Sequence, residues 1–425
     1  MRPNLPEILS DGDSVTALGR NAETVFKAMR QWGIIRVDDQ KTVEYCGLIY
    51  HPKNGTVIFL PKEARTDNIA DDMKTASLTM RALARFGAET SKLDFENDGD
   101  SGNPGTLPVI KRLADDFRNN GLFSERIRWQ TRNAGKPEWA RTAKRELGMP
   151  NQKGQPVYLN IRTSHAVKST DALLAQIQAA VVREIHLAHA WWLTGTSSRR
   201  QEILSCPRPS FPRATWARKL DALLPSLYSA RSISLAKDLR FYLDGTRKSS
   251  DGTLVFGVRK FHTVWETMLR ETIIRSEDDK RRNWNSDLPK PSYFRTKSLV
   301  PDARRRGMQT DMVLETKTEL KIVDAKYYTA KTADTAPGWG DISKQFFYEK
   351  AIETLLKSES KVIPAISSIF AFPSTAGQGN LSYIEMVNVD GTVATSDLFS
   401  KVVCCYVCVS DALDCYVNNR QGITI

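Results

Sequence analysis

Two short apolar runs that carry charges, Thr310-Asp-Met-Val-Leu-Glu315 and Leu320-Lys-Ile-Val-Asp-Ala-Lys-Tyr-Tyr328, constrain this chain more than any other feature. Their length and their Val/Ile/Tyr content suit β-strands, and the polar gap between them suits a hairpin. Strand side chains alternate faces, so Asp324 and Lys326 share one face while Val323, Ala325 and Tyr327 share the other. A turn centred on Lys317-Thr318 sets Val313 opposite Ile322 and Asp311 opposite Asp324. Lys-Thr lacks the Asn or Gly that two-residue turns favour, so the register stays open; a slip of two residues leaves the faces unchanged.

Opposed carboxylates repel across a sheet, and a divalent cation would remove that repulsion. Mg²⁺ is the natural candidate, with Mn²⁺ as a substitute. Carboxylates at Asp311 and Asp324 holding such an ion, with Lys326 beside them, suit hydrolysis of a phosphodiester. The ion polarises the phosphate and lowers the pKa of a bound water. Lys326 orients that water and stabilises charge building in the transition state. The competing account is a surface hairpin with incidental charges, since Asp-x-Lys alone is common.

Two neighbouring segments bear on the choice. Downstream, the chain passes from Ala336-Pro-Gly into a helix, with Asp341 or Ser343 as expected N-cap and with Gln345 and Tyr348 on one face. Upstream, Phe261-His-Thr-Val-Trp-Glu-Thr-Met-Leu-Arg270 has helical period, with Phe261, Val264, Trp265, Met268 and Leu269 on its buried side. Glu266 sits at the edge of that stripe. It is either a third acidic metal ligand or half of an i,i+4 ion pair with Arg270.

Asp, a gap, then Asp-x-Lys resembles the PD-(D/E)xK nuclease superfamily. More narrowly, the Val-Trp-Glu helix, the Asp-Ala-Lys-Tyr-Tyr strand and the Ser-Lys-Gln-x-x-Tyr helix together resemble the LlaJI-type restriction endonucleases, relatives of the McrC nuclease subunit. Asn120-Gly-Leu-Phe, Gly135-Lys-Pro-Glu-Trp-Ala-Arg-Thr142 and Pro156-Val-Tyr-Leu-Asn160 extend the likeness over most of the chain. The resemblance implies metal-binding roles for Asp311 and Asp324, a catalytic role for Lys326 and a supporting role for Gln345. It also implies an AAA+ GTPase partner of the McrB kind and modification methyltransferases encoded alongside. The literal Pro-Asp dipeptide is Pro301-Asp302. Asp311 is preferred because Met312, Val313 and Leu314 follow it, whereas Arg304, Arg305 and Arg306 follow Asp302, and a buried strand does not begin with three arginines.

The chain has 425 residues, 41% hydrophobic and 26% charged, the composition of a folded protein large enough for two or three domains. The formal net charge of +12 is uneven: residues 1–110 hold 13 Lys/Arg against 16 Asp/Glu, so the later part carries the whole basic excess. Such a surface favours a phosphate backbone by counterion release, and also favours solubility. Neither a signal peptide nor an apolar run of membrane-spanning length is visible, which leads to a cytoplasmic expectation. No Gly-x-x-x-x-Gly-Lys-Ser/Thr loop is present, so any motor must be another polypeptide. Cys404, Cys405, Cys408 and Cys415 cluster, but Val402–Val409 reads as a buried strand in which Cys is a small hydrophobe rather than a zinc ligand. His186 and His189 fall in an apolar helix over 170–193 and read as core or interface residues.

The expected fold class is α/β: a C-terminal restriction-endonuclease-like core, with a mixed central sheet flanked by helices, preceded by an N-terminal α+β region. Residues 1–105 form the N-terminal region, 106–250 a helical and strand region for DNA or partner binding, and 251–425 the nuclease domain. A helix is expected over 23–35, a hairpin over 47–60, a helix over 70–87, a linker over 94–108 and a helix near 108–119. Cations interleave with Trp in 125–145, so Arg126, Arg128, Arg132, Lys136 and Arg141, together with Lys344 of the later helix, are candidate DNA contacts. A solvated face with Trp anchors explains the same pattern. The functional expectation is a Mg²⁺-dependent endonuclease of a restriction or phage-defence system acting on double-stranded DNA. A double-strand cut needs two active sites or two visits, which makes a homodimer on DNA plausible. The alternatives are a repair, recombination or transposition nuclease with the same core, and a non-catalytic DNA-binding subunit.

Overall fold

The structure is a computed structural model, and it describes residues 6–14, 42–51, 55–90, 106–169, 172–193, 200–245, 253–277, 279, 282–290, 294–295, 298–299, 307–394 and 399–425. The helix expected over 23–35, most of the linker over 94–108, Pro301-Asp302 with its three arginines, and the boundary over 246–252 lie outside the described residues. Where the sequence divides into three, the chain closes into two compact units: residues 1–108 with 251–425, and residues 109–250. Strand pairing is the cause. Leu254–Val258 joins Cys46–His51 antiparallel, so the segment after residue 251 completes a four-stranded sheet begun by Glu7–Ser10, Gly55–Leu60 and Cys46–His51. Gly47, at φ 147°, permits this pairing: a Cβ there would collide with the carbonyl of Phe256.

The second sheet of the first unit is mixed and five-stranded, in the order Met312–Glu315, Glu319–Ala325, Ala365–Ser374, Val402–Cys408, Tyr383–Ile384. Its three central strands run parallel. Parallel neighbours need a crossover, here supplied by the helix Trp339–Ser358 between Glu319–Ala325 and Ala365–Ser374. Leu320 and Ile322 turn toward that helix, packing with Ile352, Leu356, Trp284 and Leu288. Burial of each such side chain is worth about 1.5–3 kcal/mol. The helix Phe261–Thr272 also packs on the Glu319–Ala325 strand. Past that strand, Tyr327 stacks its ring near Phe261 and Trp265, at 5.1 and 6.4 Å between centroids, while its hydroxyl accepts from the Lys62 amide at 2.9 Å. One tyrosine therefore ties the hairpin to the four-stranded sheet. The helix Ile69–Thr90, expected over 70–87, packs against the last helix, Val409–Val417.

The second unit is helical with a β extension. Its helices include Thr106–Asn120 from Val109 onward, Leu173–His189, Trp216–Leu223 and Ala230–Gly245. Phe117, Leu122, Ala179, Val182, Ile203 and Cys206 form one of its cores. The extension is a ribbon in which Glu125–Arg132 pairs antiparallel with Arg162–Ser169, and Lys136–Pro137 adds to the latter. Among the described residues no helix is long and apolar enough to cross a membrane.

Candidate active site

The hairpin closes in the register that alternation and the turn centre predict. Met312 faces Val323 and Val313 faces Ile322, which continues to Asp311 opposite Asp324. Lys317-Thr318 serves as the turn without Asn or Gly because Thr316 replaces their contribution. Its amide and its hydroxyl both donate to the Glu319 carbonyl, at 2.8 and 2.9 Å, and the hydroxyl accepts from the Glu319 amide at 2.9 Å.

Asp324 and Lys326 lie on the face that turns toward the Trp339–Ser358 helix. Lys326 Nζ stands 3.0 Å from Asp324 Oδ2 and 2.9 Å from Asp341 Oδ1. Asp324 Oδ2 also accepts from Gln345 Nε2 at 3.0 Å. Gln345 is fully buried, and its Oε1 has no hydrogen-bond partner. Asp311 Oδ2 accepts from the Ala325 amide at 2.8 Å, so the first carboxylate is clamped to the second strand. Burial, then the charge and hydrogen bond of Asp324, push the Asp311 carboxyl up to about 7. Burial lowers the Lys326 pKa, but Asp324 and Asp341 outweigh that and leave it raised, so the lysine is an ammonium at neutral pH.

Glu266 is half-buried on the Phe261–Thr272 helix. Burial raises its pKa, His262 and Arg270 oppose this, and Asp324 adds to it, so its charge is felt at the site. Among the described residues, however, no three His, Cys, Asp or Glu side chains form a cluster suited to a metal ion. The acidic centre is thus the pair Asp311 and Asp324, with Glu266 in electrostatic range. Arg270 donates from Nε to the Asp311 carbonyl at 3.4 Å.

Two site residues escaped the sequence reading. Asp341 is expected as an N-cap, but the helix begins at Trp339 with Gly338 as its N-cap. The extended backbone at Gly338, after Pro337, starts the helix three residues early, and Asp341 becomes a first-turn residue free to meet Lys326. A carboxylate is favoured there by the helix dipole. The spacing of Asp341, Gln345 and Tyr348 on one helical face was a signal for this. Asn285 left no signal. Its amide locks Thr310 from both sides, Oδ1 accepting from the Thr310 amide and hydroxyl at 2.9 Å and Nδ2 donating to the carbonyl at 2.9 Å. Tyr348 donates to the Gln309 carbonyl at 2.7 Å and fixes the same approach to Asp311.

The candidate DNA contacts are more scattered. Arg126 and Arg128 pair in the ribbon with Lys168 and Ala166, but their side chains lie outside the described residues. Arg132 and Lys136 are exposed, while Arg141 is half-buried and held by Gln130 and Glu138. Lys344 is exposed in the first unit, 3.7 Å from Asp341. His189 is fully buried, its Nδ1 accepting from Trp192 Nε1 at 3.0 Å; burial lowers its pKa to about 3. Cys404 packs with Phe370, Phe372 and Val402 as a small apolar side chain.

A mixed α/β sheet with an opposed carboxylate pair, a lysine and a buried glutamine at its centre defines a restriction-endonuclease-like core. The model of the LlaJI restriction endonuclease family matches residues 45–402, and the chain belongs to that family. A component of the type II restriction enzyme BsuMI of Bacillus subtilis (strain 168), YdjA, is 21% identical over 441 residues, 96% of this chain and 88% of that protein. Among solved structures, the chain is similar to a chain of a half-complex of Thermococcus gammatolerans McrB AAA+ hexamers with bound McrC. That match has 14% identity, a TM-score of 0.41 and coverage of 98% of this chain and 99% of that one. A chain of the McrBC complex from the same organism matches at 12% identity and a TM-score of 0.28, over 56% of this chain and 80% of that one.

Proposed function

We propose that this chain is the endonuclease subunit of a restriction system, hydrolysing phosphodiester bonds of double-stranded DNA with Mg²⁺ or Mn²⁺. The observation that carries this reading is Lys326 Nζ set 3.0 Å from Asp324 Oδ2, with Asp311 opposite. The donor set fits a divalent cation on two counts. Burial and the neighbouring Asp324 charge push the Asp311 carboxyl up to about 7, a cost that a bound cation would relieve, and Gln345 leaves a buried oxygen unpartnered beside Asp324. Asp311 and Asp324 would hold the ion, and Glu266 would contribute charge from the facing helix. Bound there, the ion supplies polarisation of the phosphate and acidification of water. Lys326 donates from Nζ to the attacking water or to a phosphoryl oxygen, stabilising the negative charge that develops. Asp341 keeps that ammonium aimed at the site, and Gln345 fixes the Asp324 carboxylate through Nε2.

The partner reading rests on the sequence resemblance to McrC and on the lack of a phosphate-binding loop in the chain. An AAA+ GTPase of the McrB kind would supply translocation, a methyltransferase would protect host DNA, and two copies of this chain on DNA would cut both strands. Arg132, Lys136 and Arg141, with Arg126 and Arg128, would contact phosphates, as would Lys344.

Supercoiled plasmid incubated with Mg²⁺ or Mn²⁺, with and without an AAA+ GTPase of the McrB kind, tests the reading. Lys326→Ala and Asp324→Ala are each expected to slow nicking by about a hundredfold to a thousandfold, with circular dichroism and DNA binding retained. An unchanged nicking rate in either variant removes the site assignment.

A further inference from the structure

A cavity of about 860 Å³ opens beside Asp311, on the side of the edge strand Met312–Glu315. Its size lies in the range of small-molecule and nucleotide sites, about 300–1,000 Å³. Four arginines line it: Arg270, Arg275, Arg282 and Arg420. Three of them are already neutralised. Arg275 pairs with Asp279 at 2.6 Å, Arg282 with Asp287 and Glu359, and Arg420 with Asp414. Glu271, an acid in the same wall, is engaged by Arg85. Arg270 differs: it is exposed, Glu266 and Glu271 act on it only at longer electrostatic range with no ion pair within 4.0 Å among the described residues, and its Nε reaches the carbonyl of Asp311. The floor is rigid, because Asn285 holds Thr310 by three hydrogen bonds and Arg282 stacks 4.4 Å over the buried Trp284 ring.

We infer that this cavity seats the DNA strand adjoining the scissile phosphate, and that Arg270 is the contact to the neighbouring phosphate. The inference rests on the nuclease reading of Asp311 and Asp324 and adds the side on which the strand leaves them. A phosphodiester is favoured over an uncharged ligand because an exposed guanidinium that makes no close ion pair among the described residues sits next to the carboxylate pair. A guanidinium meets phosphate oxygens in a fork, so the contact also fixes the strand's direction. Arg270 therefore positions the substrate; the chemistry stays with the carboxylates and Lys326.

Binding and cutting can be measured apart. In a Lys326→Ala background, a fluorescent duplex is titrated by anisotropy over a range of salt concentrations, with and without Arg270→Ala. The expected result is a Kd raised about tenfold and a salt slope lower by about one, the signature of one lost phosphate contact. With Lys326 intact, Arg270→Ala is expected to raise KM more than it lowers kcat, and Arg270→Lys to recover most of the loss. An unchanged Kd and slope in Arg270→Ala overturn the inference, as does a loss confined to kcat that Arg270→Lys does not restore. The two levels fail separately. If Lys326→Ala still cuts, the nuclease reading falls; if Lys326→Ala is inactive while Arg270→Ala binds normally, only the cavity assignment falls.

Discussion

The hairpin around Asp324 and the ribbon around Arg132 are both antiparallel pairs rich in charge, yet their charges live in opposite environments. In the hairpin, Lys326 is 15% exposed and is held between two carboxylates. In the ribbon and its tip, Arg132, Lys136, Lys144 and Arg145 are exposed, alongside apolar Trp139, Leu147 and Leu159 that stay in solvent as well. Burial separates the two. A charge taken out of water must be paired, and a paired charge in a low-dielectric setting acts strongly on whatever enters. An exposed cation is screened, and its effect falls with salt.

The largest contrast is expected in catalysis: the Lys326 and Asp324 variants should lose cutting by orders of magnitude, whereas Arg132→Ala and Lys136→Ala should leave single-turnover cutting at saturating DNA within about twofold. Equal losses at both places would erase the distinction. Packing gives the next contrast. Ile322→Ala empties space among Val313, Ile352 and Leu356 and should cost about 2–5 kcal/mol by urea unfolding, against less than about 0.5 kcal/mol for Leu147→Ala at the tip. A pH effect comes from the second unit's interior. His189, with its folded pKa lowered to about 3, binds a proton in the unfolded chain below about pH 6.5 while the folded chain refuses it. Stability from this residue is therefore full above that pH and falls as pH drops toward 3, by at most about 1.4 kcal/mol per pH unit. Melting curves of His189→Gln should lose that part of the acid slope. The smallest effect belongs to the ribbon: Lys136→Ala should lower the salt slope of DNA binding by about one and weaken binding several-fold. A slope that does not move would assign the ribbon to something other than phosphate.

Legibility in the sequence followed locality. The hairpin was readable because alternation and turn length act within twenty residues, and its register followed from the turn centre even though the turn dipeptide was a poor one. Gln345 and Tyr348 were readable as one helical face. Asp341 was named only as a cap, because the helix start depended on the extended backbone at Gly338. Asn285 could not be found at all, since its role exists only where Thr310 is brought against it from 25 residues away.

By itself, the sequence determined the period-two pattern that sets Asp324 and Lys326 on one face, the turn that brings Asp311 across, and the family motifs. Only the tertiary structure decided that Leu254–Val258 completes a sheet begun before residue 11, that Lys326 takes Asp341 as its second partner, and that Arg270 reaches the Asp311 carbonyl. The reason is physical. Periodicity states which side of a strand is apolar, but which strand lies alongside, and which charge comes within 3 Å of another, is settled when the whole chain buries its surface at once.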